Sequence, residues 1–355
     1  MEKININPEF NNLNNPETFI NHFNTLKEQL ASEKENKGLF RVMPANKWIE
    51  QAKNRPIPKP LFDKFWFENE LCILFADTNM GKSILAVQIG NSISKGEPIQ
   101  GFKMEAAKQP VLYFDFELTD KQFEIRYSDG FNNHYRFDNM FLRVEINPNA
   151  EIPERESFED YLNYSLEQSI IDTKAKILIV DNLTYLKNET EKAKDALPLM
   201  KYLKELKNKY ELSILALAHT PKRDLSKPIT RNDLQGSKML INFCDSAFAI
   251  GESFQDKSLR YIKQIKARNT EIIYDAENIV ICQLHKPFNF LQFEFIDFGV
   301  ENEHLKKLSE KEKLELEDNI IELKRNNPDI SFGQIAKQLR TNKMKVKRVL
   351  DRNNS

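Results

Sequence analysis

The alternation of apolar runs and amphipathic segments constrains the fold of this chain more than any other feature of its sequence. From residue 71 to residue 283, apolar runs of strand length alternate with segments of helical spacing such as 84–94 and 193–210. Nearly continuous apolar strands separated by helices are typical of an α/β fold with a mostly parallel sheet covered on both faces. The last runs have no helix between them, which indicates an antiparallel end to the sheet. The predicted strands are residues 71–76, 111–116, 140–144, 177–180, 213–218, 246–250, 260–266 and 278–283.

The first predicted strand leads directly into a loop that ends in Gly81, Lys82 and Ser83, and the helical segment follows. This order is that of a P-loop, in which backbone N–H groups and a helix N-terminus face the phosphates of a nucleotide. Lys82 would reach the terminal phosphates, and the Ser83 hydroxyl would be a ligand of Mg²⁺. Ala76 replaces the first glycine of the pattern, and alanine fits there if its φ is negative. The predicted phosphate-binding residues are Ala76, Asp77, Thr78, Asn79, Met80, Gly81, Lys82 and Ser83.

Acidic residues end two further predicted strands, at the edge where α/β sheets bind their ligands. We predict that Glu117 polarises the attacking water. Asp115 is the alternative, because residues two apart on a strand face the same side, and the terminal position favours Glu117. Asp181 follows four apolar residues, which is the form of a Walker B strand whose carboxylate binds the Mg²⁺ shell. A helix N-cap is the alternative role for Asp181.

A histidine follows the strand at residues 213–218, at the same edge of the predicted sheet. This residue, His219, could sense the γ-phosphate or its attacking water, and a purely structural histidine is the alternative. Together with the P-loop and the two acidic strand ends, it predicts a site for ATP and Mg²⁺.

The order of these motifs, continued by residues 235–238 and 263–269, resembles the RecA-like P-loop NTPase core. Over residues 40–295 the chain is similar to hexameric replicative helicases of the RepA and DnaB kind, and most of all to RepA-type AAA ATPases of plasmids and mobile elements. The resemblance implies that Glu117 is the catalytic base and that ATP hydrolysis drives translocation on DNA. The alternative is a DNA-binding replication or transfer regulator that ATP switches between oligomeric states without helicase activity.

The resemblance also implies a ring. The family's basic finger, which reaches the γ-phosphate of a neighbouring subunit, falls in residues 261–269, where Lys266 and Arg268 face the same way on a strand. A solvated charged hairpin is the alternative. A finger acting in trans makes hydrolysis depend on assembly, which predicts a homo-oligomer and, by resemblance, a hexameric ring around single-stranded DNA. The residues that map onto the family's channel loop are Gln235, Gly236, Ser237 and Lys238.

The end of the chain is basic, although the 52 Lys and Arg of the whole chain nearly balance its 53 Asp and Glu. Between Ile330 and Arg352, seven basic residues and one acidic residue give a net charge of +6. Three short helical patterns, the second capped by Ser331 with Gln334, predict a small all-α helix-turn-helix domain that binds duplex DNA. A solvated charged helix is the alternative. The basic residues predicted to contact DNA are Lys343, Lys345, Lys347 and Arg348.

We predict three parts in this chain. Residues 1–60 form an N-terminal arm, helical around 19–33, that ends in a proline-rich linker, although a disordered tail is the alternative for its first forty residues. Residues 61–298 form the RecA-like domain, and residues 299–355 form a charged linker and the helix-turn-helix module. The sequence shows no signal peptide or membrane span, and Cys72, Cys244 and Cys282 lie far apart in apolar runs, so we predict reduced thiols and a cytoplasmic protein.

Overall fold

The computed structural model describes residues 40–183, 185, 196–234, 237–307, 310–339, 341 and 343–353. The chain divides into two compact units between Ile57 and Pro58, within the predicted proline-rich linker. The described part of the first unit contains helix α1 (Ala45–Lys53), which follows Pro44 at its N-cap. The helix predicted around residues 19–33 lies outside the described residues.

A nine-stranded sheet forms the centre of the second unit, in the order β13-β12-β11-β10-β3-β9-β8-β4-β7. The six strands from β10 to β7 pair in parallel, and β11, β12 and β13 are antiparallel. The mostly parallel sheet and its antiparallel end are therefore confirmed. The strands are β1 (Pro60–Phe62), β2 (Trp66–Phe67), β3 (Leu71–Ala76), β4 (Val111–Asp115), β5 (Ser128–Asp129), β6 (Asn133–His134), β7 (Phe141–Val144), β8 (Ile177–Asp181), β9 (Ser213–His219), β10 (Ser246–Glu252), β11 (Leu259–Lys266), β12 (Ile279–His285) and β13 (Gln292–Gly299).

Helices cover both faces of this sheet. Along β3, Cys72 and Leu74 join one apolar cluster with Leu85 of α2, whereas Leu71 and Ile73 join another with residues of α4 and α5. Side chains alternate between the two faces of a strand, so strands that are apolar at every position need a helical layer on each side. The helices of this part of the chain are α2 (Lys82–Lys95), α3 (Asp120–Arg126), α4 (Phe158–Thr173), α5 (Ala196–Tyr210) and α6 (Ser237–Phe243).

The outermost antiparallel strand, β13, was absent from the sequence prediction. Its first four residues, Gln292 to Phe295, alternate between polar and apolar side chains, which is the pattern of a strand with one buried face. Phe293 is 1% exposed and packs in the same cluster as α2, so the beginning of this edge strand is part of the apolar core. The three cysteines are free and buried, as predicted.

The segment that follows the sheet is anchored to it by a buried acidic residue. Glu301, in the short helix α7 (Glu301–His304), is fully buried. Its carboxylate forms an ion pair with Lys263 of β11, and it accepts hydrogen bonds from the backbone N–H of Ile229 at 2.6 Å and the Tyr261 hydroxyl at 3.1 Å. The charge-dense linker predicted from residue 299 onward therefore begins only after these buried residues.

Three helices at the end of the described chain pack around a small apolar cluster of their own. They are α8 (Glu310–Asn326), α9 (Phe332–Gln338) and α10 (Lys343–Asn353). Ile320, Ile335 and Val346 are each fully buried in this cluster, one from each helix. Ser331 caps α9 through the predicted capping box with Gln334. In the part of the chain that the structure describes, no helix has the length and apolarity needed to cross a membrane.

Replacing Glu301 by alanine tests the anchoring of the segment after the sheet. The substitution leaves the Lys263 ammonium buried without its counter-ion, so we expect the free energy of unfolding to fall by about 3–5 kcal/mol. Urea unfolding of the Glu301→Ala variant measures this change. The matched control is Glu303→Ala, because Glu303 is exposed in the same helix and its loss should change the free energy by about 0.5 kcal/mol or less. Equal effects of the two substitutions would contradict the anchoring role.

Candidate functional site: a phosphate-binding loop at the sheet edge

The loop between β3 and α2 has the backbone conformation of a phosphate cradle. Gly81 is the N-cap of α2, adopts a φ of 94° and provides no side-chain cap for the helix, so the first N–H groups of α2 can face a bound anion. Asn79, at φ 63°, is the other residue of this loop in the left-handed region. Ala76 ends β3 and is not among the residues with positive φ, so alanine meets no conformational obstacle at the position of the missing glycine.

The Lys82 ammonium lies across the base of this loop. Its Nζ donates to the carbonyl oxygens of Ala76, at 3.1 Å, and Asp77, at 3.0 Å, and lies 3.3 Å from Nδ1 of His219. Burial lowers the pKa of Lys82, while the nearby carboxylates of Asp181 and Glu117 act in the opposite direction. The structure therefore holds a buried cation at the point where the pattern predicts terminal phosphates.

Asp181 ends β8 as a buried carboxylate beside the loop. It accepts a hydrogen bond from the Tyr113 hydroxyl at 2.6 Å and another from the Ser83 hydroxyl. Burial raises the pKa of Asp181 to about 6, against the lowering effect of these hydrogen bonds. The two residues predicted as Mg²⁺ ligands are thus in contact. An aliphatic hydroxyl beside a carboxylate is an all-oxygen donor set, which suits Mg²⁺.

Glu117, Asn182 and His219 meet just outside this buried pair. The Glu117 carboxylate contacts the Asn182 side-chain amide, and its Oε1 lies 3.4 Å from Nε2 of His219. Nδ1 of His219 faces the Lys82 ammonium, and its Nε2 faces both the Asn182 amide nitrogen, at 3.0 Å, and the Glu117 carboxylate. The pKa of Glu117 is lowered, mainly by its hydrogen bond with His219, so the carboxylate is ionised at neutral pH. Its side chain is 40% exposed and can reach a water molecule.

Asp115, the alternative candidate, is engaged elsewhere. Its side chain is fully buried, pairs with Nε of Arg143 at 2.9 Å, and accepts hydrogen bonds from the backbone N–H groups of Glu117 and Leu118. Both carboxylate oxygens are therefore occupied within the chain. Of the two acidic residues at this strand end, Glu117 is the one with an exposed carboxylate.

The register of the parallel strands explains why these residues meet. Asp115 of β4 is the partner of Asp181 in β8, and Ala76 of β3 is the partner of His219 in β9. The carboxyl ends of the four strands therefore lie at one edge of the sheet, which is where α/β folds bind ligands. The buried Lys82 ammonium, the uncapped N-terminus of α2, and the Ser83 hydroxyl beside the Asp181 carboxylate fit a nucleoside triphosphate with Mg²⁺.

The predicted basic finger lies away from the phosphate site of its own chain. Lys266, at the end of β11, pairs with Ala247 near the start of β10, which is the opposite edge of the sheet. Its Nζ donates to the carbonyl oxygens of Ile241 and Cys244 at the end of α6, and Arg268 pairs with Asp245 at 3.1 Å. Both side chains contact the end of α6 and the residues that follow it, and neither joins the phosphate site of its own chain.

The residues predicted to contact DNA are only partly described. Gln235 and Gly236 lie outside the described residues, and Ser237 and Lys238 begin α6. In α10, the side chains of Lys343, Lys347 and Arg348 are exposed, and Lys345 is half-buried. The exposed cations thus lie on the side of α10 that is not packed against the apolar cluster.

Sequence reasoning missed two residues at the site, Asn182 and Arg143. Asn182 directly follows a buried strand at the same edge as His219, and that position was the available signal. Arg143 is the one charged residue in the apolar run 140–144, and a lone charge in a buried strand indicates a specific partner.

A sheet of parallel strands whose first member leads through Gly81, Lys82 and Ser83 into a helix defines the class of P-loop nucleoside triphosphatases. The model of the AAA domain family matches residues 40–224, which is more than half of this chain of 355 residues. The chain therefore belongs to the AAA domain family, which supports ATP binding by this P-loop. The match includes the loop, Glu117, Asp181 and His219. No curated protein matches the chain.

Replacing Gly81 by alanine tests whether the loop has room for a side chain against the Phe293 ring. A Cβ there would lie 2.9 Å from the Phe293 ring, and the φ of 94° adds backbone strain. Gly130, at φ 56°, is the matched control, because a Cβ added there would have no atom within 4 Å. We expect both alanine variants to lose about 1–2 kcal/mol from backbone strain and Gly81→Ala to lose about 1–3 kcal/mol more from overpacking. Chemical denaturation measures the difference, and equal losses would show that Phe293 yields freely.

Proposed function

We propose that this protein hydrolyses ATP at the edge of its parallel sheet, in a Mg²⁺-dependent reaction for which Glu117 is the general base. What supports this most is the double contact of His219, which lies beside both Lys82 and Glu117. One side chain thus connects the cation expected at the γ-phosphate with the carboxylate expected at the water. Such a bridge is of use where the nucleophile and the phosphate must be held in line.

The proposed mechanism assigns a separate task to each residue of the chain. The loop N–H groups and Lys82 hold the β- and γ-phosphates, and Lys82 exchanges its loop carbonyl partners for phosphate oxygens. Glu117 accepts a hydrogen bond from the attacking water and then its proton. Asn182 and His219 fix the Glu117 carboxylate. Mg²⁺, held by Ser83 and Asp181, would neutralise the negative charge on the phosphate oxygens.

Two substitutions separate binding from chemistry in this mechanism. Glu117→Gln removes the base but keeps the side-chain size, so we expect phosphate release to fall by about 10²–10³-fold while affinity for ATP changes little. Lys82→Ala removes the phosphate-binding cation and should weaken ATP binding itself. Steady-state phosphate release and equilibrium binding of a fluorescent ATP analogue measure the two effects. The control is Glu156→Gln, an exposed acid outside the site. Full activity in Glu117→Gln would refute the assignment of the base.

We further propose that hydrolysis is coupled to DNA in a homo-oligomeric ring, as in a RepA-like replicative helicase of a plasmid or mobile element. The support is the order of motifs from the P-loop to residues 235–238, together with two adjacent cations, Lys266 and Arg268, that do not serve the site of their own chain. In a ring they would exchange their contacts at the end of α6 for the γ-phosphate of a neighbour. An ATP-switched regulator of replication or transfer is the second candidate, since the basic tail suits a DNA-binding switch equally well.

Ring formation is tested by the mass of the protein in solution, with and without ATP and single-stranded DNA. The proposal predicts a hexameric mass with both ligands and ATPase activity that rises with assembly. Strand displacement on a forked duplex then separates the candidates, because a regulator would assemble or bind DNA without displacing a strand. A monomer that hydrolyses ATP at the full rate would contradict both the ring and the finger.

We propose that the three C-terminal helices form a helix-turn-helix module that binds duplex DNA through α10. The exposed cations Lys343, Lys347 and Arg348 support this, because exposed cations can reach DNA phosphates. Each phosphate contact adds about 0.9 to the magnitude of the negative slope of log affinity against log salt concentration. Alanine at all three positions should therefore weaken binding and reduce that slope by up to about 2.7. Fluorescence anisotropy over a salt series measures it. Alanine at the exposed residues Lys53, Lys201 and Lys257 is the control, and an equal reduction there would contradict a specific DNA surface.

A further inference from the structure

We propose that Arg143 is a positioning residue for Glu117, and that it sets the rate of hydrolysis by clamping the turn that carries this carboxylate. The inference rests on the proposed role of Glu117 as the base. Arg143 lies on β7, which is the edge strand of the sheet beside β4, and it pairs in register with Tyr113 of β4. Its guanidinium reaches over the end of β4 to the segment that joins β4 to α3.

The guanidinium holds this segment at points on both sides of Glu117. Before Glu117, Nε donates to Asp115 at 2.9 Å. After Glu117, one terminal nitrogen donates to the Leu118 carbonyl at 2.7 Å and the other to Asp120 at 2.6 Å, in the first turn of α3. The rigid fork of arginine suits such a multiple contact, whereas lysine has a single nitrogen and cannot make all three.

Asp115 extends the clamp to the backbone of Glu117 itself. Its Oδ1 accepts the N–H of Glu117 at 3.2 Å and that of Leu118 at 2.9 Å, while its Oδ2 faces Arg143. Because the Asp115 side chain is fully buried, its charge depends on Arg143 for compensation. Arg143 and Asp115 therefore fix the turn together, and Arg143 supplies the cation.

The Glu117 side chain, in contrast, is held by other strands. Its carboxylate contacts Asn182, after β8, and His219, at the end of β9. The position of the carboxylate relative to the phosphate loop thus depends on two independent sets of contacts, one to the backbone and one to the side chain. A displacement of about 1 Å in a catalytic group can cost about 10²-fold in rate, so loosening the backbone clamp should affect chemistry more than binding.

The test compares Arg143→Lys and Arg143→Gln with the wild type. Arg143→Lys keeps a cation beside Asp115 and preserves folding, which is checked by thermal unfolding, while losing the bridging contacts. We expect kcat to fall about tenfold in Arg143→Lys and about 10²-fold in Arg143→Gln, with affinity for an ATP analogue within about threefold of wild type. The control is Lys121→Gln, which removes an exposed cation of α3 that pairs with Glu124 rather than with the turn.

Combining Arg143→Lys with Glu117→Gln separates positioning from general structural support. If Arg143 acts through Glu117, adding Arg143→Lys to Glu117→Gln should change the remaining rate by less than about twofold, because the group being positioned is already gone. An equal loss in both backgrounds, or wild-type kcat in folded Arg143→Lys, overturns the inference while the ATPase proposal stands. Wild-type activity in Glu117→Gln alone would instead refute Glu117 as the base, and the inference with it, although ATP hydrolysis itself would stand.

Discussion

The parallel register of four neighbouring strands is the constraint on which the rest of this site depends. Strand pairing puts Asp115 beside Asp181 and Ala76 beside His219, so the carboxyl ends of β3, β4, β8 and β9 lie at one edge. A register slip of one residue would turn each side chain to the other face of the sheet. The apolar clusters on both faces resist such a slip, since each of these four strands is buried on both faces. Packing of the core thereby fixes the relative positions of the site residues at the strand ends.

Burial shifts the pKa values of two charged groups in the site toward their neutral forms. Burial raises the pKa of Asp181 to about 6 and lowers that of Lys82, so each group is more easily neutralised than in water. The two charges lie close enough to stabilise one another, and Glu117 remains ionised at the more exposed side. The Lys82 ammonium can exchange its contacts within the chain for a charged ligand, because the ligand would replace hydrogen bonds that already exist. The anionic phosphates would take the place of loop carbonyls around Lys82.

The fold and the phosphate loop could be predicted from the sequence because both depend on local pattern. Continuous apolar strands, helical spacing and the Gly81-Lys82-Ser83 junction are each readable over a few residues. The antiparallel strand β13 was missed although its alternation is visible in the sequence. Contacts between distant residues were not predictable. The pairing of Arg143 with Asp115, the burial of Glu301 against Lys263, and the placement of Lys266 at the end of α6 all depend on tertiary packing that no local pattern encodes.

In the proposed mechanism, Lys82, Glu117 and His219 surround the transferred phosphate and its attacking water. A crystal structure of the protein with MgADP and aluminium fluoride, which imitates the planar phosphoryl group, would show whether they do. We expect the fluoride group within hydrogen-bond distance of Lys82 Nζ, the metal on Ser83 Oγ, and a water between the aluminium and the Glu117 carboxylate. A nucleotide whose phosphates lie away from Lys82, or an in-line water held by a residue other than Glu117, would contradict it.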